Sequence, residues 1–299
     1  MSWAVSPQRV ATAGQAGPAG AARPPGRRRP WDAPLTRRLH NVSGMAGIAG
    51  TGIIWIVLLG PVIALLTHLS WNSIVSSLTA PGAWQPLIIS LESGLITLGV
   101  LVVFCTPLAW GLARGTLPFP RIWEVGVLAS LLLPPLVIGL LLIFMVGPFT
   151  FAGQVLGHVN ISTVNTFFAL VIAEVYESAP YYVLGAQAAF ASVDPRLEQQ
   201  AELLGDRPLR VFRRVTAPLS APGLAMALAV AWARAMGAFG AVVIIAYHPY
   251  GLPLQIWTTL QETGLASALP YALVLLVVAL PLPLAAYIWS ARARSRRRG

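Results

Sequence analysis

The sequence predicts an all-α membrane protein with six transmembrane helices. Three observations support this fold class: long apolar runs without charged residues, a composition poor in charge, and arginines confined to alternate gaps between the runs. Of the 299 residues, 56% are hydrophobic and 10% are charged, whereas roughly one quarter of the residues of a soluble domain are charged. The mean hydropathy of +0.71 is therefore that of a chain that shares its apolar surface with lipid.

Six apolar runs have the length that a bilayer requires, because a hydrocarbon core about 30 Å thick takes roughly 20 helical residues. The predicted spans lie near residues 46–69, 87–113, 124–147, 164–190, 220–247 and 269–290. Charged residues are absent from three long stretches, between Arg38 and Glu92, Glu124 and Glu174, and Glu262 and Arg292. We expect these stretches to be surrounded by lipid.

The arginines predict the orientation of the spans, because basic residues are retained on the cytoplasmic side during insertion. All of them except Arg234 lie in the N-terminal tail, the second and fourth gaps between spans, or the C-terminal tail. The gaps near residues 70–85, 148–163 and 248–268 contain none. Both termini are therefore predicted to be cytoplasmic.

The net charge of +10 indicates this topology and not a nucleic-acid partner, because the arginines flank apolar spans and no soluble domain presents them. Residues 1–38, rich in Ala, Gly, Pro and Arg, are predicted to be a disordered cytoplasmic tail. The transmembrane domain then covers residues 39–291, and a basic cytoplasmic tail covers 292–299. The single Cys105 excludes a disulfide within one chain.

The cytoplasmic segment 191–219 has the pattern of two short amphipathic helices. Asp194, followed by proline, is a typical helix start, and Leu197, Ala201 and Leu204 repeat at helical spacing. Gly205 is predicted to interrupt this helix. Asp206 is predicted to cap a second one that ends before Pro218 and carries Leu209, Val211, Phe212 and Val215. The segment therefore predicts a docking surface for a partner.

This segment resembles the EAA loop of the permease subunits of ABC importers. That loop has a Glu-Ala-Ala triplet, a glycine four positions later, and an Ile-x-Leu-Pro group ten positions after the glycine. The residues that match this spacing are Gln199, Gln200, Ala201, Gly205, Val215, Thr216, Ala217 and Pro218. Gln199 replaces the glutamate of the triplet, and Glu198 stands beside it.

The resemblance extends over most of the chain from about residue 87. The motifs that carry it are Thr106-Pro107-Leu108-Ala109, Ala113-Arg114, Leu133-Pro134-Pro135 with Gly139, and Ser178-Ala179-Pro180-Tyr181-Tyr182. The fifth span is similar to molybdate, tungstate and sulfate permeases, whose Arg-x-x-Gly-Glu-Phe-Gly pattern is matched by Arg234, Gly237, Phe239 and Gly240. Ala238 stands in place of the acid, and residues 246–250 favour the molybdate/tungstate branch.

The resemblance implies the type I ABC importer permease fold, in an inner-membrane homodimer that carries molybdate or tungstate. It also implies a cytoplasmic ABC ATPase dimer and an extracytoplasmic solute-binding protein as partners. The ATPase subunit would bind ATP and Mg²⁺, and this chain would need no cofactor of its own. The residues expected to contact the ATPase are Glu198, Gln199, Ala201, Leu204, Gly205, Phe212, Val215 and Pro218.

The sequence predicts neither a catalytic residue nor a metal site in this chain. There is no GxxxxGK[ST] phosphate-binding loop, so ATP hydrolysis is assigned to a separate subunit. The four histidines, His40, His68, His158 and His248, are scattered over loops on both sides of the predicted topology.

Arg234 is a strong cation inside a predicted span, where a charge needs a partner or water. It either faces a water-filled translocation path, or it is a structural brace paired with Glu174 or Glu177, which share one helix face. We favour the brace. Gly237, Phe239 and Gly240 either form a constriction in the path or pack helices together.

Two alternatives for the cargo and the energy source remain open. Sulfate or another solute would use the same ABC mechanism. An ion-coupled secondary transporter would use intramembrane carboxylates, for which Glu174 and Glu177 are the candidates.

Overall fold

The computed structural model describes residues 35–159 and 161–296, and every regular element in that part of the chain is a helix. In chain order these helices are α1 (Leu35–His68), α2 (Trp71–Thr79), α3 (Gln85–Arg114), α4 (Pro120–Leu132), α5 (Pro135–Val146), α6 (Phe151–His158), α7 (Phe167–Ala191), α8 (Pro195–Leu203), α9 (Pro208–Met236), α10 (Val242–Ile245), α11 (Leu252–Glu262), α12 (Leu265–Ala279) and α13 (Pro281–Arg296). Helices α3 and α9 each contain a π-helical stretch, Leu101–Cys105 and Phe212–Thr216.

The long helices overlap five of the six predicted spans. The apolar helices long enough to cross a bilayer in the described chain are Gly50–His68, Gln85–Arg114, Phe167–Ala191, Pro208–Met236 and Leu265–Ala293. A sixth span is formed when α4 and α5 are counted together. The all-α, multi-span fold class is therefore confirmed.

The predicted third span, 124–147, consists of two helices in the structure. Helices α4 and α5 are bent by 119° at the break between them. Leu133 and Pro134 there have extended backbone conformations, which the steric clash with a following proline favours over the helical region. The two consecutive prolines, Pro134 and Pro135, therefore divide the run into two short helices.

The predicted fifth span, 220–247, is displaced along the chain. Helix α9 begins at Pro208 and ends at Met236, and a turn separates it from α10. The second helix of segment 191–219 therefore does not end before Pro218, as the sequence predicted, but continues as this span. Proline has no N–H to donate to the carbonyl of the residue four positions earlier in a helix, and its ring clashes with that carbonyl. The π-helical stretch Phe212–Thr216, which ends two residues before Pro218, widens the helical turn in which that clash would occur.

The first and last helices extend into the predicted N-terminal and C-terminal tails. Helix α1 begins at Leu35, so residues 35–38 of the predicted disordered tail are helical; residues 1–34 lie outside the described residues. Helix α13 continues to Arg296. The chain forms two contact units, Met1–Pro61 and Val62–Gly299, and the sites below belong to the second.

Helix α7 is the central helix of the second unit and is packed closely against α9. Gly185 of α7 faces Ala227 of α9, and Gly223 of α9 faces Ala189 of α7. A Cβ atom added at Gly223 would lie 2.6 Å from the Cβ of Ala189, which is closer than two carbon atoms approach. Small residues bring helices together in lipid, where dispersion contacts replace the hydrophobic effect as the driving force.

Candidate functional site

Segment 191–219 folds into the short helix α8 and the start of the long helix α9. The Asp194 side chain accepts the N–H of Arg196 at 2.9 Å, and Pro195 occupies the first helical position. Helix α8 ends at Leu203, and Gly205 has a φ of +91°, a left-handed conformation that favours glycine. The turn at Gly205 therefore separates α8 from α9.

An ion pair fastens α8 to the end of α3. The Arg114 guanidinium donates two hydrogen bonds to the Glu198 carboxylate, Nη2 to Oε1 at 2.7 Å and Nε to Oε2 at 2.8 Å. The Thr216 hydroxyl on α9 donates to the same carboxylate, and Arg114 also donates to the Val193 carbonyl at 3.4 Å. The side chains of Arg114 and Glu198 are only 10% and 13% exposed. Glu198 thus joins three helices, and we call this arrangement the Glu198 clamp.

Two leucines at the end of α8 project away from the helices. The exposed fractions of Leu203 and Leu204 are 87% and 88%, and Leu209 at the start of α9 is 72% exposed. We call Leu203 and Leu204 the apolar tip.

Phe212 turns inward from the same segment. Its ring lies 5.8 Å from that of Trp110 in an edge-to-face arrangement and 6.0 Å from that of Phe190. Edge-to-face aromatic pairs are favourable beyond the area that they bury. Phe212 therefore anchors the start of α9 on α3 and α7.

The other residues predicted for this segment are not brought into one cluster. Gln199, at the position of the triplet's glutamate, is exposed on α8, and Ala201 is half-buried. Val215 is half-buried within the π-helical stretch, and Pro218 is exposed inside α9. The interactions that we observe here belong to Glu198 and not to Gln199.

A second polar cluster lies between the spans and contains Arg234. Its guanidinium donates to the Glu177 carboxylate at 3.2 Å, and Glu177 also accepts the backbone N–H of Ala241 at 3.1 Å. The Arg234 guanidinium carbon lies 5.4 Å from the centre of the Tyr181 ring. The Glu177 side chain is 1% exposed and that of Arg234 is 33% exposed. Glu177 therefore joins α9 to the turn that follows it.

Glu174, the other predicted partner of Arg234, contacts helix α3 instead. Its carboxylate accepts hydrogen bonds from the hydroxyls of Ser93 at 2.7 Å and Thr97 at 3.0 Å, both on α3. All three side chains are buried. Glu174 therefore joins α7 to α3, and the two carboxylates fasten α7 to different neighbours.

The glycine-phenylalanine motif forms the turn after α9. Gly237 follows the last residue of α9, and Gly240 lies against Pro135 of α5, so closely that a side chain would not fit. The Phe239 ring lies 5.6 Å from that of Trp257 on α11. These contacts place the turn between the bent α4–α5 pair and α11.

Several interacting residues were missed at the sequence level. Arg114 was identified from a motif at the end of a span, but nothing in its neighbourhood pointed to Glu198, 84 residues away. Ser93 and Thr97 are four residues apart in an apolar run, a spacing that indicates one helix face. Trp257 gave no signal, because it lies in a gap between predicted spans.

Long apolar helices joined by an exposed polar segment are typical of a multi-pass membrane protein. The model of the family described as "Binding-protein-dependent transport system inner membrane component" matches residues 106–298. The chain belongs to this family and is a multi-pass protein of the plasma membrane.

Two relatives and one solved structure support this assignment. The "Probable molybdenum ABC transporter permease protein" of Haloferax volcanii is 35% identical over 229 residues, which are 76% of this chain and 83% of the relative. The "Probable sulfate transport system permease protein" of Nephroselmis olivacea is 31% identical over 232 residues, 75% of this chain and 82% of the relative. A bacterial ABC transporter involved in alginate import superposes with a TM-score of 0.61 and 17% identity, covering 86% of this chain and 98% of that chain. The fold is therefore that of a type I ABC importer permease.

Proposed function

We propose that this chain is the membrane-spanning subunit of an ATP-driven importer of molybdate or tungstate. The observation that carries the proposal is the apolar tip, which is exposed at the end of the helix that the Glu198 clamp fastens to α3 and α9. The molybdenum-named relative from Haloferax volcanii supports the cargo. The tip offers a site at which a separate ATPase subunit would act on this chain.

The proposed assembly contains two copies of this chain, two ATPase subunits and an extracytoplasmic solute-binding protein. The arginine-rich ends of the spans and both termini face the cytoplasm. When the ATPase subunits close on ATP and Mg²⁺, they draw the two apolar tips together. The clamp transmits this movement to α3 and α9, because Arg114 ends one helix and Thr216 lies in the other. The path then changes from inward-facing to outward-facing.

Within each copy, we assign the Arg234–Glu177 pair to the support of the turn at residues 237–241. Glu177 binds both the Arg234 guanidinium and the Ala241 backbone N–H, so the pair fixes the end of α9 relative to the turn. Phe239 and the glycines beside it would form the constriction of the path. A paired guanidinium releases an anion more readily than an unpaired one, which suits a transporter.

Sulfate is the second candidate cargo, because a sulfate-named relative is 31% identical. Molybdate, tungstate and sulfate are tetrahedral dianions of similar shape, and they require similar hydrogen-bond donors. The choice among them therefore needs a measurement.

Elemental mass spectrometry of cells that lack this gene, compared with complemented cells, tests the proposal. Molybdate, tungstate and sulfate are each supplied at trace level. We expect the deletion to lower cellular molybdenum or tungsten and to leave sulfur unchanged. Complementation with Leu203→Ser/Leu204→Ser should fail, whereas the control Glu202→Gln, an exposed residue on the same helix outside the tip, should restore uptake. Loss of sulfur alone would transfer the assignment to sulfate, and no change in any element would overturn the oxyanion cargo.

A further inference from the structure

Four arginines form a cationic pocket at the start of α9. Arg207, Arg210, Arg213 and Arg214 line, together with Leu209, a cavity of about 490 Å³. Asp206 accepts a hydrogen bond from Arg210 at 3.1 Å and lies 3.8 Å from Arg214. Within the part of the chain that the structure describes, Arg207 and Arg213 contact no carboxylate. The pocket therefore has a large excess of positive charge and is suited to an anion.

An apolar groove adjoins this pocket. Leu209 lines both cavities, and the groove continues between α9 and α3 along Phe212, Trp110, Thr106 and Val103. Its volume is about 470 Å³, and Val103 is 62% exposed. The arginines and the groove occupy neighbouring faces of the same helix, so one ligand can contact both.

The groove follows α3 along the direction of the predicted span. Its wall on α3 extends from Trp110 to Val102, a distance of eight residues. At 1.5 Å per residue this is about 12 Å, a little less than one leaflet of a hydrocarbon core about 30 Å thick. A ligand that fills the groove would be apolar over this length.

We propose that the pocket and the groove together form a binding site for one anionic phospholipid. The phosphate would accept hydrogen bonds from the arginines, whose planar guanidinium groups match its oxygen atoms. One acyl chain would lie in the groove along α3. An acidic protein partner would occupy the pocket and leave the groove empty. The apolar groove therefore favours the lipid.

The test is lipid retention by the full-length chain in nanodiscs with equal amounts of phosphatidylglycerol and phosphatidylcholine of identical acyl chains. After transfer to mild detergent, native mass spectrometry counts the lipids that remain bound. We expect selective retention of phosphatidylglycerol. Arg210→Gln/Arg213→Gln should weaken it by about tenfold or more, since each arginine near an anionic lipid contributes to binding. Arg121→Gln/Arg196→Gln, which removes two exposed arginines outside the pocket, is the control with the same change in charge and should retain it.

A second variant tests the groove with the arginines intact. Val103→Trp should displace the acyl chain and lower retention while the protein stays monodisperse. Equal retention of phosphatidylglycerol and phosphatidylcholine would overturn the proposal. Equal retention of phosphatidylglycerol by Arg210→Gln/Arg213→Gln and by the control Arg121→Gln/Arg196→Gln would also overturn it. A disulfide between two copies carrying Val103→Cys in a Cys105→Ala background would also overturn it, because a second copy of the chain would then cover the groove.

Discussion

At the scale of single residues, the Glu198 clamp has the strongest geometry in segment 191–219. A guanidinium and a carboxylate form two parallel hydrogen bonds at 2.7 and 2.8 Å, an arrangement that is stronger and more directional than a single contact. Both side chains are largely shielded from water. Removal of one partner therefore leaves an unpaired charge in a site of low polarity, which is costlier than the removal of both.

A double-mutant cycle of Arg114→Gln and Glu198→Gln tests the clamp. Each single variant should lower thermal stability and ATP-dependent uptake, and the double variant should be less impaired than the sum of the two. We expect a coupling free energy of about 1–3 kcal/mol, measured from unfolding in detergent. The control is Glu202→Gln, an exposed carboxylate on the same helix, which should behave as the wild type. Additive effects would show that the clamp is not a coupled unit.

The Arg234–Glu177 pair supports a test that separates a brace from a substrate contact. Glu177→Gln and Arg234→Gln should each reduce stability, because each leaves one charge between the helices without its partner. The double variant Arg234→Gln/Glu177→Gln should recover stability and much of the uptake. A stable double variant without any uptake would instead indicate that the oxyanion needs the charge of Arg234.

At the scale of helices, the sequence predicts the spans well and their interruptions less well. The apolar runs and the Pro134-Pro135 pair are local signals, and the pair marks the 119° bend between α4 and α5. Pro218 looked like the same kind of signal, but α9 continues through it after a π-helical stretch. Pro107 follows the π-helical stretch Leu101–Cys105 in the same way. Whether proline ends a helix thus depends on backbone adjustments that the residue pattern does not reveal.

The same limit applies to the candidate site. The helix start at Asp194 and the turn at Gly205 depend on neighbouring residues, so they were predictable from the sequence. The partner of Glu198 is 84 residues away, and that of Glu177 is 57 residues away. Such pairs depend on how the spans pack, which hydropathy alone does not determine.

The close packing of α7 on α9 predicts a specific effect of added volume. Gly223→Ala should destabilise the protein by about 1–3 kcal/mol, because its methyl group would overlap that of Ala189. Gly223→Ala combined with Ala189→Gly should restore stability, since the same volume is then moved across the interface. The control is Gly99→Ala on α3, where an added Cβ meets no atom within 4 Å. The melting temperatures of the three variants, each solubilised in detergent, measure these effects. Equal melting temperatures of Gly223→Ala and Gly99→Ala would contradict this packing.

At the scale of the whole molecule, the arginine distribution predicts a single orientation in the membrane. Membrane-impermeant thiol labelling in a Cys105→Ala background tests it with one cysteine at each end of the spans. His158→Cys should be labelled in intact cells, and Leu204→Cys only after the membrane is permeabilised, because basic segments stay in the cytoplasm. The reverse pattern would invert the proposed topology and remove the apolar tip from the reach of an ATPase.

We propose that ATP hydrolysis in a separate subunit drives transport, and that this subunit acts on the chain at the apolar tip. The most direct test is molybdate uptake into proteoliposomes that contain this chain, its ATPase subunit and its solute-binding protein. We predict uptake only with ATP and Mg²⁺, and its loss in Leu203→Ser/Leu204→Ser while Glu202→Gln remains active. Uptake that an ion gradient sustains without ATP, or that the tip variant leaves unchanged, would contradict the account.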